Sequence, residues 1–256
     1  MKKIKISAAL ATFNEEENIV DCIESLKDFA DEIVVVDGSS TDRTRELAEK
    51  LGAKVIKTTN KPMFHINKNL AIDKCQGNWI FLIDTDERIS KELAIEMKEI
   101  ISKNPKENGF WVNRANWFLG GYLTKGGAYP DSVTRLFRRN KGRLPEVSVH
   151  EQVKINGEVG YLKNDIQHFA DPTFSRYLYR ADRYTDQTVQ HLVKINPGKR
   201  PWSVFYYMIL KPTLIFFDIY IRHKGYVDGF RGFIWALFSA AHHFYAYVKY
   251  WETTKK

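Results

Sequence analysis

Two carboxylates one residue apart, Asp84 and Asp86, directly follow the apolar run Trp79-Ile80-Phe81-Leu82-Ile83. A buried strand that ends in Asp-x-Asp can present both carboxylates to a hard divalent cation. Mg²⁺ and Mn²⁺ take one or two carboxylates and complete their shells with waters and phosphate oxygens. The chemistry this suits is neutralisation of charge building on a leaving diphosphate. Asp-x-Asp alone also occurs as a solvated turn or a helix cap; its place after five apolar residues favours a site. Two further polar clusters close apolar runs: Thr12-Phe13-Asn14, and Asp37-Gly38-Ser39-Ser40. Asp37 could accept hydrogen bonds from a base or a ribose, or cap the helix that follows. Ligands of open α/β sheets bind at the carboxyl ends of the strands, so three such ends imply one crevice.

The elements that must hold these clusters alternate. Ile4 to Ala11, Glu32 to Asp37, Lys54 to Lys57 and Trp79 to Ile83 read as strands. Helices are expected to open at Asn14-Glu15-Glu16-Glu17, to run from Thr41 to Leu51 with Gly52 as the stop, and to cover Asn67 to Cys75 and Ser90 to Ser102. Strands alternating with helices at this spacing predict a mostly parallel sheet flanked by helices. From Gly109 to about Tyr161 short aromatic strands alternate with turns, and helical spacing returns from Asp171 to Val193. Pro197, Gly198 and Pro201 mark a boundary, giving a catalytic domain over 1–198 and a helical extension over 199–256.

Composition narrows the class. The 256 residues are 44% hydrophobic and 27% charged, ordinary for a folded chain, with net charge +8. That balance favours anionic partners: nucleic acid, an anionic membrane surface, or phosphate-bearing substrates. Cys22 and Cys75 fall in helical stretches and read as core residues of a reducing compartment. Lys5 interrupts the N-terminal apolar stretch, so no secretory signal is expected and the protein is placed in the cytoplasm. No G-x-G-x-x-G follows a strand and no Walker A sequence occurs, which argues against a dinucleotide dehydrogenase or a P-loop NTPase.

Ala9 to Glu16, Ile33 to Asp42 and Trp79 to Glu87 together resemble family 2 glycosyltransferases in order and spacing. Asp84 to Arg88, Tyr129-Pro130-Asp131, Arg135 to Arg139 and Val149-His150-Glu151 are similar to a narrower branch that includes bacterial lipopolysaccharide core glucosyltransferases. The resemblance implies a GT-A-type α/β fold and an inverting transfer of a sugar, glucose by likeness, from a UDP-sugar. It implies a glycan or glycolipid acceptor such as the lipopolysaccharide core, and Mg²⁺ or Mn²⁺ as cofactor. It assigns Thr12, Phe13, Asn14, Glu15, Asp37, Ser39, Lys68, Asp84 and Thr85 to the nucleotide and Asp86 to the metal. Glu151 matches the family's base, with Asp131 as the competing carboxylate. His168, after a short strand, is added as a second metal ligand, although a lone His is more often structural. Arg135 and Arg138 are expected to help hold the departing diphosphate or to face acceptor phosphates. A single base without a covalent partner means one displacement and inversion.

The last 58 residues differ in kind, with 17 of the 35 aromatics and nine Lys/Arg against three Asp/Glu. Neither Trp202 to Ile221 nor Phe233 to Trp251 is an uninterrupted apolar span, and aromatic rings mixed with basic residues suit the headgroup layer of a membrane. The expectation is peripheral contact with the inner face of the cytoplasmic membrane; packing on the catalytic domain or within a homo-oligomer is the plainer alternative. Two other functions compete. A sugar nucleotidyltransferase shares the α/β core but needs a Gly-rich basic loop near the N-terminus, which is missing. A nucleic-acid-binding protein is suggested by charge alone, yet the basic residues are dispersed and carboxylates line the strand ends, so no nucleic-acid partner is expected.

Overall fold

The computed structural model describes residues 6–147 and 151–254. In chain order the elements are β1 (Ile6–Thr12), α1 (Ile19–Leu26), β2 (Glu32–Asp37), α2 (Thr44–Lys50), β3 (Lys54–Lys57), α3 (Phe64–Lys74), β4 (Trp79–Leu82), β5 (Glu87–Ile89) and α4 (Lys91–Ser102). They continue with β6 (Gly109–Phe118), β7 (Gly121–Tyr122), β8 (Ser132–Arg138), β9 (Gly142–Arg143), β10 (Lys154–Ile155), β11 (Val159–Tyr161), β12 (Ile166–Asp171) and α5 (Phe174–Ile195). Beyond α5 lie α6 (Pro201–Phe205), α7 (Lys211–Phe217) and α8 (Gly229–Thr253).

The chain forms two compact units. The first comprises 1–114 and 131–168, the second 115–130 and 169–256. In the first, the strand order is β3-β2-β1-β4-β8-β6-β12-β5. β1, β2, β3 and β4 are parallel, and β8 runs antiparallel to both β4 and β6. β1, β2 and β4 are largely buried on both faces, which is why they read as apolar runs, whereas the edge strand β3 is part-exposed. Leu10, Val35 and Phe81 pack with Ile19, Ile23, Leu93 and Met97 on one side of the sheet, and Val34, Val36, Ile80 and Leu82 with Ala71 and Ile72 on the other. The order 3-2-1-4 puts a topological switch point between β1 and β4, whose carboxyl ends are where open α/β sheets bind ligands. This is the GT-A-type α/β architecture expected from the sequence.

Helix α4 starts where its sequence directs, with Ser90 Oγ accepting from the Leu93 N–H. The helix expected from Asn14 starts instead at Ile19. Asn14 has φ +55°, and its side-chain oxygen accepts from the Thr41 N–H at 2.9 Å. Glu15 N–H donates to Thr44 Oγ1 at 2.7 Å. These residues pin the loop after β1 onto the loop after β2, and a helical backbone there would lose both bonds.

In the second unit, Phe118, Leu123 and Tyr177 pack with Phe174, Trp235 and Phe238, and Val189, Leu192, Tyr247 and Tyr250 form another apolar cluster. The boundary expected at residue 198 lies inside this unit, because α5 and the residues around Phe118 bury their aromatic side chains against α8.

Candidate active site

The ends of β1 and β2 lie side by side: Thr12 is in register with Asp37, and Gly38 N–H donates to Thr12 O at 2.8 Å. A Cβ on Gly38 would sit 3.1 Å from Asn60 Cα and 3.3 Å from Thr12 O, so glycine permits this close approach. Asp37 is fully buried; its Oδ2 accepts from Ser40 N–H at 3.0 Å and lies 3.6 Å from Arg45 Nε. Its Oδ1 has no partner, and neither does the buried Thr12 Oγ1. An unsatisfied buried acceptor costs about 1–3 kcal/mol, so two at adjacent strand ends point to a ligand that supplies donors. Phe13 is 42% exposed beside them, a bare aromatic face. Ser39, with φ +69°, donates its hydroxyl to Thr58 O at 2.7 Å, and Glu15 accepts from Asn18 at 2.8 Å.

At the end of β4 the chain turns sharply into β5, with Glu87 N–H donating to Asp84 O at 3.0 Å and Asp84 N–H donating to Glu87 Oε2 at 2.9 Å. Thr85 is buried, and its carbonyl accepts from Arg88 at 2.6 Å. Arg135, on β8, donates to Asp84 Oδ2 at 2.6 Å and to Glu87 Oε1 at 2.7 Å. Lys68, on α3, makes an ion pair with Asp84 and lies 5.0 Å from the Phe64 ring centre. Arg114, on β6, lies 3.8 Å from Glu87 and gives Asp131 Oδ2 two hydrogen bonds, 2.9 Å from Nε and 2.8 Å from the second guanidinium nitrogen. The charges alternate along this chain: Lys68, Asp84, Arg135, Glu87, Arg114, Asp131. Burial alone would push the Asp84 carboxyl up, but Arg135 and then Lys68 outweigh it and hold it far below the usual carboxylate range. Three cations thus balance three carboxylates.

Asp86 stands outside that balance. Its Oδ2 lies 3.4 Å from His168 Nε2, on β12, which is in register with Glu87 across the antiparallel β5–β12 pair. Burial raises Asp86, and the neighbouring His168 outweighs it, so the carboxyl sits below its usual range. Among the described residues no cluster of three His, Cys, Asp or Glu side chains could hold a metal. One carboxylate and one imidazole are the donor set, which fits a cation that completes its shell from a diphosphate and water.

The structure therefore gathers Thr12, Phe13, Asn14, Asp37, Lys68, Asp84, Asp86, Arg135 and His168 at one edge of the sheet. Arg138 is not among them. It is in register with Trp79, at the start of β4, stacks 4.6 Å from that ring and donates to Pro105 O, Glu107 O and Asn104. It was expected at phosphates, and in this structure it lies at the opposite end of β4 from Asp84. Arg138→Ala should cost about 2 kcal/mol and lower the melting midpoint by about 4–8 °C, with nucleotide affinity unchanged. Asp131, expected as the competing base, spends one oxygen on both Arg114 nitrogens and is bound into the ion chain. Glu151 is half-buried; Ser148, Val149 and His150 before it lie outside the described residues. Sequence reasoning missed Glu87 and Arg114 as members of the site. A charged residue inside the apolar strand Phe110-Trp111-Val112-Asn113-Arg114 was the available signal for the second.

The family model for glycosyl transferase family 2 matches residues 7–142, more than half of the chain. The chain belongs to glycosyl transferase family 2. It is 30% identical to the lipopolysaccharide core biosynthesis glycosyltransferase LpsC of Rhizobium meliloti, over 98% of this chain and 93% of that one. It is 29% identical to an uncharacterized glycosyltransferase of Rickettsia felis, over 98% of this chain and 91% of that one. The crystal structure of S. aureus TarS 1-349 superposes on 97% of this chain and 88% of that chain, with TM-score 0.50 at 17% identity, which speaks to the fold. This family 2 enzyme is thus a glycosyltransferase.

Proposed function

We propose that this glycosyltransferase transfers a sugar from a UDP-sugar by a single inverting displacement, with a divalent cation, to a glycan or glycolipid acceptor such as the lipopolysaccharide core. The observation that carries the reading is the pairing of Asp86 with His168 at 3.4 Å, beyond the end of β4 and beside the unsatisfied acceptors Thr12 Oγ1 and Asp37 Oδ1. An imino N–H of the base or a ribose hydroxyl would satisfy Asp37 Oδ1, and the exposed Phe13 ring offers the base a stacking face. Lys68 and Arg135, already held at Asp84, place positive charge at the end of β4, where a diphosphate would lie.

Asp86 and His168 would hold Mg²⁺ or Mn²⁺, which when bound supplies neutralisation of the leaving diphosphate. The chain's own part is to orient the donor through Thr12, Asp37 and Asp84 and to take the acceptor hydroxyl's proton on Glu151. Asp131 is left the task of fixing Arg114. The acceptor class is supported by the likeness to LpsC over nearly the whole chain, and glucose as donor sugar by the motif resemblance.

The stereochemistry tests the mechanism directly. With α-linked UDP-glucose, Mn²⁺ and a lipopolysaccharide core acceptor, the product should show a β-anomeric proton by NMR. An α-linked product would overturn the single displacement, and turnover with another nucleotide sugar in place of UDP-glucose would overturn the donor.

A further inference from the structure

The Pro201–Arg222 helix is 22 residues long with mean hydropathy 1.5, and none of it is buried. Its exposed apolar side chains fall at Trp202, Phe205, Ile209, Leu214, Phe217 and Ile221. Spacings of three and four residues make one stripe; the five-residue step from Ile209 to Leu214 follows the π-helical turn Tyr206–Leu210, which widens the helix by one residue and keeps the stripe in line. The helix pairs with α8 through Tyr207 stacked on Tyr247 at 5.0 Å and Phe216 against Phe233 at 5.8 Å. α8 exposes its own apolar residues, Phe230, Leu237, Val248 and Trp251. Between the two helices lies a cavity of about 450 Å³ lined by Val204, Met208, Tyr247, Val248, Trp251 and Glu252.

By length and composition this helix could cross a bilayer. The way its ends are tied argues otherwise. At one end Tyr247 OH donates to Gly198 O at 2.8 Å and Tyr250 OH donates to Asn196 at 2.7 Å. At the other, Gly126 N–H donates to His223 O at 2.9 Å, and Asp228 accepts from both N–H groups of Thr124 and Lys125 at 2.9 Å and from the Thr124 hydroxyl at 2.6 Å. Residues 124–126 belong to the segment that joins β6 to β8, so a crossing would have to draw that segment through hydrocarbon with its irregular backbone. Lys211 would also come to the bilayer centre, at a cost of about 2.5–3.5 kcal/mol. Lying in the interface avoids both. The charge pattern agrees: Lys199 and Arg200 flank one end of the helix, and Arg222, which pairs with Asp218, and Lys224 the other. Long basic side chains at both ends of an apolar face reach the headgroup layer and favour anionic lipid.

We propose that the exposed face of the Pro201–Arg222 helix and α8 seats this unit in the headgroup layer of an anionic bilayer, lying on the membrane rather than crossing it. Exposed aromatic and aliphatic side chains enter the acyl boundary, and the basic ends meet the lipid phosphates. The proposal stands independently of the donor and acceptor assigned above.

The test is flotation of the full chain with vesicles of phosphatidylcholine alone and with 30% phosphatidylglycerol (roughly the anionic content needed for a strong surface potential). The expected result is flotation with the anionic vesicles, weakened by salt. A triple variant, Trp202→Glu, Phe217→Glu and Phe230→Glu, should partition about tenfold less or weaker still. All three side chains are exposed, so circular dichroism of the variant should match wild type. Wild-type protein that stays in the aqueous fraction overturns the proposal. So does a dimer by light scattering that the triple variant converts to monomer, which would make this face a contact with a second copy. Orientation is read with Arg222→Cys and a membrane-impermeant maleimide, Cys22 and Cys75 being buried. Full labelling of vesicle-bound protein is expected, and protection would mean that the helix crosses.

Discussion

Replacing Glu151 by Gln is expected to lower the rate of sugar transfer about 10²–10⁴-fold, while UDP affinity stays within about twofold of wild type. The amide keeps the shape of the side chain and loses only the ability to take a proton from the acceptor hydroxyl. Asp131→Asn makes the contrast. Its Oδ2 meets two nitrogens of Arg114, so the change should disturb Arg114 and the Glu87 contact behind it before it touches proton transfer. A pH–rate profile separates the two. Loss of the acidic limb in Glu151→Gln, with that limb retained in a slower Asp131→Asn, is the expected pattern. The reverse pattern would assign the base to Asp131.

Glu87→Gln should destabilise the first unit by about 3–5 kcal/mol. Glu87 is fully buried, accepts from Arg135 and the Asp84 N–H, and sits 3.8 Å from Arg114. The neutral amide leaves two guanidinium groups facing one carboxylate fewer in a region of low dielectric. Urea titration checks this, and a loss under about 1 kcal/mol would mean that the network is well solvated. The same network has a pH signature. Asp84 is held below its ordinary value of 3.8, so the stability it contributes is complete above that value and is lost as pH falls below it.

The strand ends were legible because parallel strands buried on both faces leave a plain mark: an apolar run that stops at a polar residue, as at Thr12, Asp37 and Asp84. What escaped was non-local. β5 is three residues long and exists because β12 pairs with it; His168 was expected beside Asp86 as a metal ligand, but not the strand pairing that brings it there. No local pattern announces such an antiparallel partner eighty residues away. Arg135 and Arg138 look alike in the run Arg135-Leu136-Phe137-Arg138. Arg135 is the residue skipped where the register of β8 against β6 shifts, and it lies about 10 Å along the strand from Arg138. One therefore reaches Asp84 while the other stacks on Trp79. The boundary read at Pro197-Gly198 marks a real break between helices. Assignment of the preceding helix α5 depended on which aromatic side chains it buries, and Tyr177 packs with Phe118 and Trp235.

Two protein donors hold a cation weakly, and the nucleotide is to supply the rest of its shell. Calorimetric titration of UDP into wild type and Asp86→Ala, each with and without Mn²⁺, tests that claim most directly. The expected result is UDP affinity about tenfold or more higher with Mn²⁺ in wild type, with no such gain in Asp86→Ala. UDP affinity in wild type that is the same with and without Mn²⁺, or a gain that survives in Asp86→Ala, would contradict it.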